Sequence, residues 1–156
     1  MRPLRVGIAS DALVRVKREL GEGYELDDDP ARVDVDAVHA YLSGVAYWAL
    51  GRPRSEVERL VCEASRVVGL YKDGEQVGFC RAATDGTSFV YLADVYVLDA
   101  HRGRGLGLAL VREMVDEGPY AGSRWLLHTR DMHPLYAKLG FGEPSERLME
   151  RQPRTA

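Results

Sequence analysis

Apolar residues along this chain change their spacing several times, and each change marks an element. Tyr24-Glu-Leu reads as an edge strand, and Asp27-Asp-Asp-Pro30 after it as a solvated turn. Val38, Tyr41, Leu42 and Val45 then recur at helical spacing, with Asp34 or Asp36 as the N-cap and Tyr47-Trp48-Ala-Leu-Gly51 as the end. Arg52-Pro53-Arg-Ser55 opens a second helix that sets Val57, Leu60, Val61 and Ala64 against Glu56, Glu58, Arg59 and Glu63. Residues 67–71 and 76–82 flank Lys72-Asp73-Gly74 as a β-hairpin with Asp-Gly at its reversal. After a turn at 84–88, residues 90–97 form a mostly apolar strand suited to a central place in a sheet. Helical spacing returns in Leu106, Leu110, Val111, Met114 and Val115, and Gly118-Pro119 stops it. Residues 123–129 predict another strand, 132–139 a short helix ended by Gly140, and 145–152 a closing strand.

The first 23 residues stand apart from this pattern. Ser10 can cap a short helix over residues 10–20, ending at Gly21 and Gly23, that packs on the domain, swaps onto a partner or frays. The expected division is an N-terminal extension, 1–23, and one domain, 24–156. A chain of 156 residues suits a single domain with a real core.

The chemistry concentrates where the strand at 90–97 hands over to the helix that follows. Gly103, Gly105 and Gly107 strip side chains from that turn, so its backbone can approach a ligand with several N–H groups aimed one way. The helix from about Leu106 adds uncapped amides and the positive end of its dipole, a setting in which pyrophosphate binds. Neither common nucleotide pattern fits. The dinucleotide fingerprint needs a glycine where Leu108 stands, and no Gly-Lys-Ser/Thr follows for a P-loop.

Arg102-Gly-Arg-Gly105-Leu-Gly107, preceded by Val95-Tyr-Val97, resembles the acetyl-CoA signature of the GNAT superfamily of N-acetyltransferases. A second segment, Tyr136-Ala-Lys-Leu-Gly140-Phe141, resembles the Tyr-x-x-x-Gly-Phe stretch near the end of many GNAT domains. The resemblance covers roughly residues 24–147. It implies an α/β (α+β) fold, a mixed and mainly antiparallel sheet flanked by helices and splayed at the acetyl-CoA site. It implies transfer of an acetyl group from acetyl-CoA to a primary amine by direct attack, without a covalent acyl-enzyme. Backbone groups of Tyr96 and Val97 would pair with pantetheine, and the amides of Arg102, Gly103, Arg104, Gly105, Leu106, Gly107 and Leu108 would hold the pyrophosphate. Tyr136 would be the general acid for the departing thiolate, a role its phenol suits. The relatives' asparagine before the last helix has no match in Thr129-Arg-Asp-Met-His133. A GNAT-like domain that senses acyl-CoA without turnover is the other reading.

An alkylamine acceptor, with a pKa near ~10.4, must lose a proton before it attacks. Asp94, the one carboxylate in the strand before the turn, is either that base or a structural group. By strict alternation it shares a face with Leu92 and Tyr96, and a β-bulge here would change its direction. His128, Asp131 and His133 are rival bases or pocket-lining groups, with His128 carried as a substrate contact. Tyr47, Trp48, Arg52 and Arg54 are candidate substrate contacts from the resemblance, the two aromatics alternatively core or interface residues.

Composition narrows the setting. A net charge of −3 argues against non-specific nucleic-acid binding, and Cys62 and Cys80, without CxxC or zinc spacing, read as reduced, buried thiols. No metal is expected. Asp11, Arg15 and Lys17 interrupt any signal-peptide core after Arg2 and Arg5, and no apolar run is long enough for a membrane, so the expectation is a cytoplasmic protein. The acidic residues Glu22, Glu25 and 27–29 point either to a cationic amine or to a solvated face. The expected acceptor is a small-molecule or peptide amine. A homodimer, common in the superfamily, would form through the first 23 residues or the last strand.

Overall fold

The computed structural model describes residues 15–154. Strands β1 (Lys17–Gly21), β2 (Tyr24–Asp27), β3 (Arg66–Lys72), β4 (Glu75–Thr84), β5 (Val90–Val97) and β6 (Trp125–Leu126) lie side by side in chain order. Helices α1 (Val35–Gly44) and α2 (Arg54–Glu63) come between β2 and β3, α3 (Leu106–Val115) between β5 and β6, and α4 (His133–Ala137) after β6. Neighbouring strands are antiparallel except β5 and β6, which are parallel because α3 crosses over between them. The result is the mixed, mainly antiparallel sheet with flanking helices expected from the resemblance.

Alternation along each strand divides the core between two faces. Val68, Leu70, Cys80, Ala82, Val90, Leu92 and Val97 pack with Leu106, Leu110, Val111, Met114 and Val115 of α3. Val67, Phe79 and Tyr96 pack on the other face with Val38 and Leu42 of α1 and Val57 and Val61 of α2. Asp34, not Asp36, caps α1 by accepting from the Ala37 N–H at 3.0 Å. At the β3–β4 reversal, Asp73 and Gly74 both have positive φ (48° and 87°), as a two-residue turn between twisted strands requires.

Two features place the site. β6 pairs with β5 only through Val90↔Trp125 and Tyr91↔Leu126, so beyond Tyr91 that edge of β5 has no strand beside it among the described residues. In the β4–β5 ladder, Phe79 faces Tyr96 while Arg81 faces Ala93, leaving Asp94 and Val95 opposite Cys80 alone. That extra residue is a β-bulge, with Asp94 at φ 55°.

Several expectations are corrected. Residues 17–20 are strand, not helix, because Arg18 and Leu20 turn toward α3 at a spacing of two while the backbone pairs with β2; residues 10–14 of the expected helix lie outside the described residues. β1 therefore belongs to the sheet, and the expected boundary at residue 24 falls inside a hairpin. β2 is covered by β1 and is not an edge. Asp28, in the expected solvated turn, is buried against Arg66. β5 is next to last in the sheet rather than central. Cys62 is exposed, and only Cys80 is buried. Residues 145–152 form no strand: β6 offers a two-residue ladder, and Pro144 and Pro153, without N–H donors, bracket the segment.

One buried ionic knot joins the layers. Arg66 Nη1 donates to the Glu113 and Met114 carbonyls (2.7 and 3.2 Å) in the last turn of α3, and Nη2 donates to Asp28 Oδ2 (3.2 Å). Arg18 Nε reaches Glu113 Oε2 at 2.6 Å. Gly118 is needed there, since a Cβ would sit 2.1 Å from Arg66 Nη1. Arg66→Met should leave two carboxylates without their shared partner and lower stability by about 3–5 kcal/mol, read as a fall in urea midpoint at unchanged slope.

Candidate active site

The turn between β5 and α3 has the conformation its glycines imply. Gly103 and Gly105 are left-handed (φ 78° and 75°), and a Cβ on either would meet nothing within 4 Å, so the turn lies open on its outer side. Gly105 is the N-cap of α3 and no side chain caps the helix, leaving the amides of the first turn free for an anion. At Gly107 a Cβ would make ordinary contact with Leu135 and Val97, at 3.4 and 3.9 Å. Leu106 is buried in the core beneath.

Arg102 braces this turn. Its guanidinium donates to the Val97 carbonyl (3.0 Å) and the Tyr41 hydroxyl (2.9 Å) and pairs with Asp99 at 2.8 Å. Arg104 lies 3.6 Å from Glu22, and both remain exposed to solvent. The Tyr96 side chain points away from the turn, stacked on Tyr41 with ring centroids 4.1 Å apart. The Tyr24 hydroxyl and His101 Nδ1, 2.7 Å apart, fasten the loop to β2.

The bulge turns Asp94 onto the face of α1 and α2, with Tyr96 but not with Leu92, which packs toward α3. There Arg81 Nε (2.6 Å), Trp48 Nε1 (2.9 Å) and Arg52 Nη1 (3.1 Å) all donate to its carboxylate. Burial alone would raise its pKa; the Arg81 charge and hydrogen bond, the Trp48 N–H and the Arg52 charge outweigh it and hold Asp94 below the usual carboxylate range. It is an ionised anchor for the α1–α2 loop. Trp48 is 41% exposed despite this bond, and Tyr47 beside it is 40% exposed, so neither is a core aromatic. Tyr47 accepts from the Arg130 amide at 3.0 Å, and the Arg130 guanidinium lies 3.8 Å over its ring, bridging the α1–α2 loop to the loop before α4. Arg54 is elsewhere, paired with Asp36 and Glu58.

Tyr136 sits on α4 with its ring among the α3-side core residues and edge-on to Phe141. Burial, with smaller contributions from Cys80, Tyr47 and Asp131, pushes its hydroxyl up to about 12. His128 follows β6 in a relay that sequence reasoning missed: the Tyr91 hydroxyl lies 2.5 Å from Nδ1 and Glu150 lies 2.7 Å from Nε2. Tyr91 was hidden by its apolar strand, Glu150 by its distance along the chain. Arg81 was missed too, although a charge amid the apolar hairpin was a usable signal. Asp131 and His133 make no side-chain hydrogen bond among the described residues, and His133 opens α4 exposed to solvent. A cleft of about 1200 Å³ between β6, α4 and residues 143–151 has His128 and Tyr136 on its walls. A smaller cavity of about 330 Å³ beside Arg66 holds none of these groups.

Residues 63–143 match the family model of the acetyltransferase (GNAT) domain. A Gibberella zeae protein named putative acetyltransferase is 32% identical over 144 residues, covering 79% of this chain and 81% of its own. The chain belongs to the GNAT acetyltransferases. A crystal structure of a putative GNAT-family acetyltransferase from Xanthomonas campestris pv. campestris matches at a TM-score of 0.78 and 36% identity, covering 83% of this chain and 93% of that one. Glucosamine-6-phosphate N-acetyltransferase from Arabidopsis thaliana shares the fold at a TM-score of 0.57 and 14% identity, covering 82% of this chain and 97% of its own. GNAT proteins use acetyl-CoA as cosubstrate, and the open turn, its free amides and the unpaired edge of β5 fit such a ligand. Among the described residues no helix is long and apolar enough to cross a membrane.

Gly105→Asp places a negative charge in that turn, and about 4 kcal/mol of repulsion at 4 Å should weaken coenzyme A binding by roughly 100-fold or more. Calorimetry on the folded variant checks this, and unchanged affinity would remove the turn as the site. Asp94→Asn should cost about 3 kcal/mol at neutral pH by leaving two guanidinium groups without their counter-ion. Because the folded pKa of Asp94 is depressed, its contribution is complete above the unfolded value of about 4 and is lost as pH falls through the folded one, so wild type and variant should converge in acid.

Proposed function

We propose that this protein is an N-acetyltransferase that passes the acetyl group of acetyl-CoA directly to an amine. The observation that carries the reading is the uncapped glycine turn at the end of a strand edge left open by β6, with Tyr136 alongside. The thioester supplies an activated acyl carbon and a thiolate leaving group. The chain supplies position, donors and proton transfer. First-turn amides of α3 hold the diphosphate, the open edge of β5 aligns the pantetheine arm, and the Val97 N–H polarises the thioester carbonyl. Arg102 acts by holding Val97 and the turn in register, since its own donors are taken within the protein.

The incoming ammonium must lose a proton, and Asp94, ionised and saturated with donors, is a poor acceptor for it. In the tautomer that carries its proton on Nε2, His128 donates to Glu150 and its Nδ1 accepts from the Tyr91 hydroxyl. In this arrangement Tyr91 takes the amine proton as its own moves to His128, and Glu150 holds the resulting imidazolium. Tyr136 stays protonated at working pH and gives its proton to the thiolate.

The test is thiol release from acetyl-CoA across an amine panel, with and without amine. Amine-dependent release is expected, whereas tight acetyl-CoA binding without it would favour a sensor. Tyr136→Phe should lower kcat by roughly 100-fold with acetyl-CoA affinity changed by no more than about twofold. Wild-type rate should rise with pH as the acceptor deprotonates, with no loss from Tyr136 until well above neutrality, because burial raises its pKa.

A further inference from the structure

On the face of β5 that carries Asp94, two guanidinium groups share one carboxylate. Arg81 commits only Nε to it, and Arg52 only Nη1, which lies 3.1 Å from each carboxylate oxygen. Trp48 Nε1 adds a third donor. The remaining nitrogens, Nη1 and Nη2 of Arg81 and Nε and Nη2 of Arg52, have no protein acceptor among the described residues. Both side chains are largely covered, at 14% and 20% exposed, so their surplus charge is only partly screened. Arg130, held over Tyr47 next to Trp48, adds a third guanidinium with no ion pair among the described residues. Arg52 and Arg81 share the one carboxylate of Asp94, so two cations meet a single directly bonded anion. Glu150 bonds to His128 and Gln152 and to none of these arginines.

We infer that this surplus is a receptor for a compact anionic group on the acceptor, so the preferred amine carries a carboxylate or a phosphate within a few bonds of its nitrogen. The inference rests on the transferase reading for the amine and on the arginines for the anion. Guanidinium groups pair with either oxyanion through two parallel N–H donors. Asp94 fixes both arginines before any ligand arrives, which limits the ordering that binding requires. It lies three residues along β5 from Val97, and Tyr91, the proposed proton acceptor, lies three residues the other way. An anion gripped here holds a neighbouring amine between them. Of the acidic residues that pointed to a cationic acceptor, Glu25 and Asp27 pair with Arg32, and Asp28 with Arg66.

Trp48 gives a readout that needs no turnover, because its indole shares the Asp94 carboxylate with Arg52. Tryptophan emission of the coenzyme A-saturated protein would be titrated with matched pairs, amino acids against their amides and phosphoethanolamine against ethanolamine. The anionic member of a pair should give a saturable change with an affinity at least about tenfold tighter than its neutral partner, as a charge-assisted contact predicts. Arg52→Gln should lose that preference while Arg81 and Trp48 still serve Asp94; circular dichroism and the melting temperature check its fold, and Arg52→Lys should restore part of the preference. Whether the carboxylate or the phosphate pair responds identifies the group. Equal affinity within every pair, an unaltered preference in folded Arg52→Gln, or no saturable change with any anionic amine overturns the inference. Thiol release run in parallel separates the two readings. Anion-selective binding without release leaves the receptor standing and removes the transferase, and release favouring neutral amines does the reverse.

Discussion

Asp94 is a buried carboxylate on a left-handed backbone, and each of those features is unfavourable unless its surroundings offset it. Arg81, Arg52 and Trp48 do so together, and in doing so they hold the bulge in place. The bulge changes which face the rest of β5 presents. Before it, Leu92 points toward α3; after it, Tyr96 points toward α1 and α2 while Val95 and Val97 take over the α3 face. The strand thus serves one helix layer at its start and both layers at its end. Its last residues are left with a free edge beside a turn rich in free amides.

The two faces divide the chemistry. On the α3 side the environment is apolar and closely packed, and it raises the pKa of both Cys80 and Tyr136 to about 12. Groups kept neutral in this way hold their protons at working pH and exclude a Cys80 thiolate as nucleophile. On the α1–α2 side, beside the apolar cluster of Val67, Phe79 and Tyr96, Asp94 anchors a loop that Tyr47 and Arg130 bridge to the β6–α4 loop. β5 runs between these two layers. Arg102 links them by touching Val97 on one side and Tyr41 on the other.

Stability is distributed in a matching way. The Arg66 knot ties β1, the segment after β2, β3 and the end of α3 together. The turn at Gly103 and Gly105 contributes little packing of its own. Rigid support behind an open, backbone-lined turn suits a site that must admit a long, flexible ligand.

The letters alone determined much of this protein. Helical spacing located α1, α2 and α3, Asp73-Gly74 set the hairpin, and the alternate glycines with Tyr136 pointed to the family, because each signal is local and survives without its neighbours. Tertiary structure decided the rest. Residues 17–20 became strand because β2 was there to pair with, and residues 145–152 did not because β6 was too short to receive them. The orientation of Asp94 depended on a register shift against Cys80, which no alternation rule contains. Tyr91, His128 and Glu150, and likewise Arg52, Arg81 and Arg130, come from segments far apart in the chain. Their proximity arises only when the sheet closes, since a hydrogen bond or a charge surplus depends on distances in space and leaves no period in the sequence.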